Sequence, residues 1–438
     1  MTVRTRFAPS PTGHVHIGNI RAAIFNWLFA RHEGGAFLLR LEDTDRERST
    51  EEAVRTVREA MDWLGLDVDE APVFQSRRTE AHRAAAEDLL ARGHAYREDK
   101  GGTGQGEAVV FRMPGTDIAF RDQVKGDLAK KAADLKDFVI VRSNGTPVFH
   151  LANVVDDIHM GITHVIRGDD HVENTFRHLA LYRALGAPAP TFAHLPMIVN
   201  HQGKPYAKRD GDAYVGDFRD KGFLPEALLN YLALLGWSPG DDREVMSRAE
   251  LVEAFTLGRV VSSPARMDPA KLLWMNGEHL RRMPRDAWRQ ACDRELARAG
   301  LDGEAAYVGR VLDLLGDRIR IWTDVAPMAA PFLAEAVTYD ETSVQKRLKR
   351  EGVAARLRTI REAFATVDPF EAAGLEAALQ AVAAAAGEKP AAFIHPVRVA
   401  ASGQMAGPSL YEMLEVIGRD RVLARLADTA DRLEAGTL

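Results

Sequence analysis

The run Pro9-Ser10-Pro11-Thr12-Gly13-His14-Val15-His16-Ile17-Gly18 gathers residue types that could handle a phosphorylated ligand. Two prolines and a glycine make a stiff loop, and apolar residues recur at helical spacing from Ile17, so His16 and Gly18 fall at a helix start. A helix N-terminus offers free N–H groups and a favourable dipole to phosphate. There an imidazole can donate to phosphate oxygens, and a glycine lets a nucleotide approach the backbone. A Pro-bounded turn with an incidental histidine would carry the same residues. As a metal pair, His14 and His16 lack a third ligand at suitable spacing. A second run, Gly203-Lys204-Pro205-Tyr206-Ala207-Lys208-Arg209-Asp210-Gly211, is a polar, Gly-bounded loop whose cations could clamp a triphosphate. A basic surface loop is the plainer account of it. A calcium loop beginning at Asp210 fails, because its twelfth position is Lys221, where a glutamate is needed.

These loops need elements to hold them. Alternation predicts a strand over 3–7, a loop over 8–13, an amphipathic helix through Ile17, Ile20, Ile24, Trp27 and Leu28, a strand over 36–41 and a helix over 49–64. Strand alternating with helix predicts an α/β, doubly wound parallel sheet. From about 96 to 149 the pattern changes to an inserted α+β module, with a Gly-rich run at 100–107 and short strands over 108–112 and 138–141. Alternation resumes with a strand over 163–167, a helix over 171–185 and a strand over 192–200. Beyond about 237 almost only helical patterns follow. The expected architecture is a Rossmann-like half interrupted by the insertion, then an all-helical half.

Composition sets the outer bounds. A chain of 438 residues suggests roughly three domains. Hydrophobic residues at 46% and charged residues at 27% are the mix of a folded globular protein. The N-terminus has no apolar stretch of a leader, and no apolar run approaches the roughly 18 residues of a membrane span, so a cytoplasmic setting is expected. One cysteine, Cys292, rules out an intramolecular disulfide and a Cys-based zinc cluster. Net charge is −6, so any polyanion would have to meet local basic patches such as Arg281, Arg282, Arg285 and Arg289, or Lys346, Arg347, Lys349 and Arg350. Charge alone also fits solvated helix faces.

The two loops, in this order on this fold, resemble the HIGH and KMSKS signatures of class I aminoacyl-tRNA synthetases. The longer likeness is to bacterial glutamyl-tRNA synthetases, carried by TRFAPSPTGHVHIGN, LLRLEDTDRERS, HLANVVDDIHMGITHVIRGDDHVENT, FLPEALLNYLALLGWSP, SSPARMDPAKLLWMNGEHL and HPVRVAASGQMAGPSLYEMLEVIGRDRVLARL. The resemblance implies an ATP- and Mg²⁺-dependent ligase that activates L-glutamate, with tRNA present, and passes it to the terminal adenosine of tRNA(Glu). It places Thr12, His16, Gly18, Asn19 and Lys208 at ATP, and His16, Gly18, Lys208 and Arg209 in the catalytic step. Arg6, Ala8, Ser10, Glu42, Phe149, Asn153 and Arg167 fall at glutamate, with Glu42 for the ammonium group and His150 lining the same pocket. An arginine fork suits a carboxylate and rejects the amide of glutamine. For Glu42, a plain capping role in front of the next helix is the competing account. The likeness further implies catalytic segments 1–77 and 153–238, an acceptor-stem insertion over 78–152, a helical stem-contact segment over 239–325 and an anticodon-binding segment over 326–438. A monomer is expected, and no zinc.

Three departures stand out against that pattern. Pro205 and Ala207 replace a lysine and a serine of the second signature. Phe149 stands for a tyrosine, a change worth about 1 kcal/mol of substrate binding unless water replaces the hydroxyl. The insertion is short. A glutaminyl enzyme would carry C-terminal β-barrels, which the Ala-rich helical tail argues against. A glutamyl-queuosine enzyme would lack the anticodon-binding part. A degenerate, tRNA-binding regulator finds support only in the altered lysine loop.

Overall fold

A computed structural model of the chain describes residues 2–44, 49–99 and 106–438. The Gly-rich run at 100–105 and residues 45–48 of the EDTDRERS stretch lie outside the described residues. The chain divides into two compact units, 1–275 and 276–438.

The first unit is built on parallel strands. β1 (Arg4–Phe7) pairs with β2 (Ala36–Leu41), and β2 with β3 (Val73–Phe74). Next come β4 (Ala95–Glu98), β5 (Ala108–Phe111), β6 (Ile118–Asp122), β7 (Gly126–Lys130) and β8 (Phe138–Val141). β9 (His164–Gly168) and β10 (Thr191–Leu195) form a second parallel ladder. β1 meets β9 where the Thr163 N–H donates to the Arg4 carbonyl at 3.0 Å. Strand order therefore reverses between β1 and β9. In a doubly wound sheet that reversal opens a crevice beyond the carboxyl ends of the two strands. Residues 8–10 leave β1 there, and Arg167 and Gly168 close β9.

The expected module shows as an antiparallel sheet, β4-β5-β8. β6 and β7, from the same stretch of chain, form a hairpin that joins the parallel sheet beside β10. One core spans both parts, from Leu89, Val109, Phe111 and Ile140 to Leu151, Phe176, Leu181 and Phe192.

Helices follow their sequence signals with instructive exceptions. α1 (Ile17–His32) runs from His16 as N-cap, but it is buried on nearly every side rather than amphipathic. Helices Pro225–Leu234 and Arg248–Ala254 cover the face turned from the sheet, with the Phe25 and Phe255 rings 5.3 Å apart. α2 (Glu51–Leu64) begins where the Thr50 hydroxyl accepts from the Ala53 N–H, and ends at Gly65 in the left-handed region (φ 64°). α3 (Thr79–Ala91), α4 (Phe149–His159) and α5 (Val172–Ala184) complete the layers around the site.

The expected strand over 192–200 is two strands. Pro196, which has no N–H for a ladder, breaks it, and β11 (Ile198–Val199) pairs instead with β12 (Ala265–Arg266). That two-residue strand falls in the stretch read as almost wholly helical; it is too short for any periodicity to register.

The second unit is helical. Its most closely packed helices are Val353–Ala365 and Arg419–Glu434, and Val325–Leu333 packs on both Arg285–Arg298 and Ala305–Leu315. Among the described residues no helix is long and apolar enough to cross a membrane.

Candidate active site

The crevice is a cleft of about 610 Å3. Its walls bring together Arg6, Ala8, Ser10, Thr12, His16, Gly18, Asn19, Glu42, Phe149, Asn153 and Arg167, residues up to 161 positions apart in the chain. Lys208 and Arg209 are exposed and stand off its wall; Pro205 and Tyr206 of the same loop reach it. His150 does not line the cleft. It turns behind Phe149, its Nδ1 3.2 Å from His178 Nε2, because α4 aims successive side chains in different directions.

At the floor lies a network of buried charge. Asp157 accepts from Arg6 Nε at 3.1 Å and Nη2 at 3.4 Å, and also from Arg40. Arg40 donates to Glu42 Oε1 at 3.1 Å, and Asn153 Nδ2 donates to the same oxygen at 3.0 Å. Burial alone would push the Asp157 carboxyl up; Arg40 and Arg6 more than reverse it, holding the group below its ordinary range. Arg167 is different. Its guanidinium donates to Thr175 Oγ1 at 2.7 Å and to His194 Nε2 at 3.3 Å, and it has no carboxylate partner among the described residues. Burial, and then Arg6, push it down to about 10. Three guanidiniums (Arg6, Arg40, Arg167) thus face two carboxylates (Asp157, Glu42). Arg167 is the one of these three left without an ion pair, and it lines the cleft, whose wall also carries Arg21, Asp169 and Asp170. A ligand carboxylate would pair with Arg167.

The phosphate-binding geometry expected of the first loop is present. His16 caps α1, its Nδ1 accepting from the Gly18 N–H at 3.1 Å, so the ring proton sits on Nε2. Burial lowers its pKa while the Tyr206 backbone opposes that. The two loops are stitched together: Ile17 N–H donates to the Ala213 carbonyl at 2.9 Å and Val215 N–H to the Val15 carbonyl at 3.1 Å. Lys208 Nζ lies 5.9 Å from the centre of the Tyr214 ring, which also meets His16 edge-on at 6.0 Å. The second loop is closed internally, Asp210 accepting from Asn200 Nδ2 at 2.9 Å and from Ala207 N–H at 3.0 Å.

Around Phe149 the rings of His150, His171 and His178 pack within 5.8 Å of its own, His171 on the cleft wall. Burial, then Arg177 and Arg167, push His150 down to about 4; His178 lies well below its ordinary 6.5, by burial and then Arg167. Unfolded imidazoles take up protons as pH falls through 6.5, whereas the folded ones stay neutral. Their contribution to stability is therefore complete above 6.5 and declines as pH drops toward 4. Urea midpoints measured between about pH 7 and about pH 5 should fall steadily. A constant midpoint would show that these rings are not held neutral by the fold.

Sequence reading missed Asp157, Arg40, Asp122 and His194. Two of them carried a signal. Arg40 interrupts the otherwise apolar strand AFLLRL, and Asp156-Asp157 interrupts the apolar run of α4, each a charge on a face that must be buried.

A family model described as tRNA synthetases class I (E and Q), catalytic domain, matches residues 2–103 and 98–274, and one described as anticodon binding domain matches 286–430. The chain is 41% identical over 441 residues to the glutamate–tRNA ligase of Methylacidiphilum infernorum (isolate V4), covering 97% of this chain and 98% of that one. It is likewise 41% identical to the enzyme of that name from Xanthomonas euvesicatoria pv. vesicatoria (strain 85-10), covering 97% and 98%. Among solved structures it is similar to a glutamate tRNA ligase from Elizabethkingia meningosepticum, crystallised with its amino acid, with TM-score 0.84, 28% identity and coverage of 99% and 100%. Together with the crevice at the strand reversal and the helix-start histidine, these matches place the chain in the class I tRNA synthetases of the E and Q group, with an anticodon-binding domain following the catalytic one along the chain.

Proposed function

We infer that the chain is a glutamate–tRNA ligase. The observation that carries this reading is the buried Arg167, left without an ion pair, standing beside Arg6 and across from the Glu42–Asn153 pair. L-Glutamate presents two carboxylates and one ammonium, and the cleft offers the complementary charges. Arg6, Ser10 and Arg167 receive the side-chain carboxylate; Glu42 receives the ammonium. Glutamine would set its amide N–H against guanidinium N–H.

ATP lies along Thr12, His16, Gly18 and Asn19. An oxygen of the glutamate α-carboxylate attacks the α-phosphorus, the bond to the bridging oxygen breaks, and pyrophosphate leaves. The 2′-hydroxyl of the terminal adenosine then attacks the acyl carbon, the bond from that carbon to the phosphate oxygen breaks, and AMP leaves. No protein nucleophile is required; the chain positions the reactants and stabilises phosphate charge, with Lys208 and Arg209 acting on the leaving group. Mg²⁺, carried on the ATP phosphates, would help neutralise their charge. The enzyme acts as a monomer in the cytoplasm.

The tRNA reading divides along the chain, with 78–152 at the acceptor end, 239–325 along the stem and 326–438 at the anticodon. In the second unit Arg347, Arg350 and Arg398 converge on His395, and Arg318 acts on Arg398. None of these arginines has a carboxylate partner among the described residues. Such a cluster suits the phosphates and unpaired bases of an anticodon loop. The cluster at Lys346–Arg350 is the region we assign to discrimination at the last anticodon base. Purified tRNA(Glu) and tRNA(Gln), offered side by side with glutamate or glutamine, test the function. Glutamate should be transferred to tRNA(Glu). Transfer of glutamine, or of neither, would overturn it.

Gly18 allows a narrower check. A Cβ there would stand 3.3 Å from His16 Nδ1, the atom that accepts the Gly18 N–H. Gly18→Ala should raise the KM for ATP about fivefold, the equivalent of about 1 kcal/mol for a weakened helix cap. Pyrophosphate exchange with tRNA present measures it, and an unchanged KM would remove Gly18 from the nucleotide site.

A further inference from the structure

Arg167 is the residue on which the glutamate pocket turns, and it has no acid to orient it. Behind it stand His194 on β10 and Asp122 at the end of β6, both buried. Asp122 Oδ2 lies 2.6 Å from His194 Nδ1. On the far side of the ring, Nε2 lies 3.3 Å from Arg167 Nε and 3.0 Å from Thr175 Oγ1. Thr175 Oγ1 accepts from Arg167 Nη2 at 2.7 Å, so two donors of the guanidinium end on this pair.

Arginine can only donate, so the nitrogen facing Arg167 Nε must carry a lone pair. The proton of a neutral ring then sits on Nδ1, where the Asp122 carboxylate accepts it. A positively charged ring would set N–H against N–H. Asp122 is fixed in turn: its Oδ1 accepts from the N–H groups of Val124 and Lys125, each at 2.9 Å, and of His194 at 3.2 Å. Burial, first of all, keeps His194 from charging.

We propose that Asp122 and His194 are positioning residues for substrate recognition: the carboxylate fixes the Nδ1–H tautomer of His194, whose Nε2 then aims the Arg167 guanidinium at the glutamate carboxylate. The proposal rests on the reading of Arg167 as a substrate contact. It assigns a role in amino-acid specificity to Asp122, a residue contributed by the inserted stretch of chain.

Asp122→Asn is the sharpest variant. Three backbone N–H groups hold the amide oxygen in the place of Oδ1, so the amide NH₂ faces His194 Nδ1. That nitrogen must then accept, the proton moves to Nε2, and Nε2–H confronts Arg167 Nε–H. In pyrophosphate exchange with tRNA present, the KM for glutamate should rise about 10-fold or more, as for loss of a charge-assisted bond, while the KM for ATP stays within about twofold. Nitrogen-15 shifts of the His194 ring should show the tautomer reversed relative to the wild type. His194→Gln, whose amide can donate to Asp122 and accept from Arg167, should retain more glutamate affinity than His194→Ala.

Arg167→Ala separates the two readings. If Arg167→Ala leaves the glutamate KM unchanged, the pocket assignment falls and the proposal with it. If Arg167→Ala weakens glutamate but Asp122→Asn does not, only the positioning proposal is overturned. A wild-type His194 protonated at Nε2 overturns it without any variant.

Discussion

Replacing Lys208 by alanine is expected to slow glutamyl-adenylate formation by about 10²–10³-fold, the loss met elsewhere when one donor to transition-state charge is removed. Lys208 is the lysine of the second loop that keeps its place in the family signature. It sits on the short turn Lys208–Asp210, with its ammonium over Tyr214, whose backbone bridges to His16. The loop is thereby tied to the start of α1, and a four-carbon stem gives the ammonium reach to the leaving phosphates. Charge builds on pyrophosphate mainly as the bond breaks, so turnover should fall while the KM values for ATP and glutamate change little. Pyrophosphate exchange with tRNA present measures all three. Full turnover in the variant would move the role to Lys204 or Arg209.

The second large effect concerns stability. Asp157→Ala removes the carboxylate shared by Arg6 and Arg40, both buried, and leaves Arg6 without an ion pair and Arg40 with Glu42 alone in direct contact. Breaking a buried pair from one side costs about 3–5 kcal/mol, because the surviving charge stays out of water. Urea unfolding followed by tryptophan fluorescence should show the first unit melting at a much lower midpoint. The variant should also lose glutamate affinity, since Asp157 holds Arg6 through two nitrogens. A stability loss below about 1 kcal/mol would mean that water reaches these arginines, and the account of the floor of the cleft would be wrong.

Much of this was legible in the sequence, for physical reasons that can be named. The strand–loop–helix at 4–32 announces itself through proline, glycine and apolar spacing, all of them local signals. Arg6, Ser10, His16, Glu42 and Arg167 are recoverable because they sit in the quoted motifs, and the fold gathers them on one cleft. The failures are non-local. Burial of α1 on nearly every side depends on helices two hundred residues later. The break of the 192–200 strand depends on Pro196, whose carbonyl accepts from Arg21 instead of joining a ladder. His194 and Asp122 lie 72 residues apart and belong to no motif read for chemistry, so only the pairing of β10 with β6 reveals them.

That pairing bears on how such a protein can be rearranged. An insertion that leaves and re-enters its host at two neighbouring points would ordinarily behave as a cassette, open to exchange between lineages or to grafting in the laboratory. The hairpin of β6 and β7 does not behave this way. It docks beside β10 through Asp122 and Phe192, the Gln123 N–H donates to the Phe192 carbonyl, and Asp122 holds a histidine of the host. Exchanging residues 78–152 wholesale would therefore carry off Asp122, and Phe149 with it, from the surroundings of Arg167. A graft confined to the β4-β5-β8 sheet, with β6 and β7 left in place, would leave the support of His194 with its host.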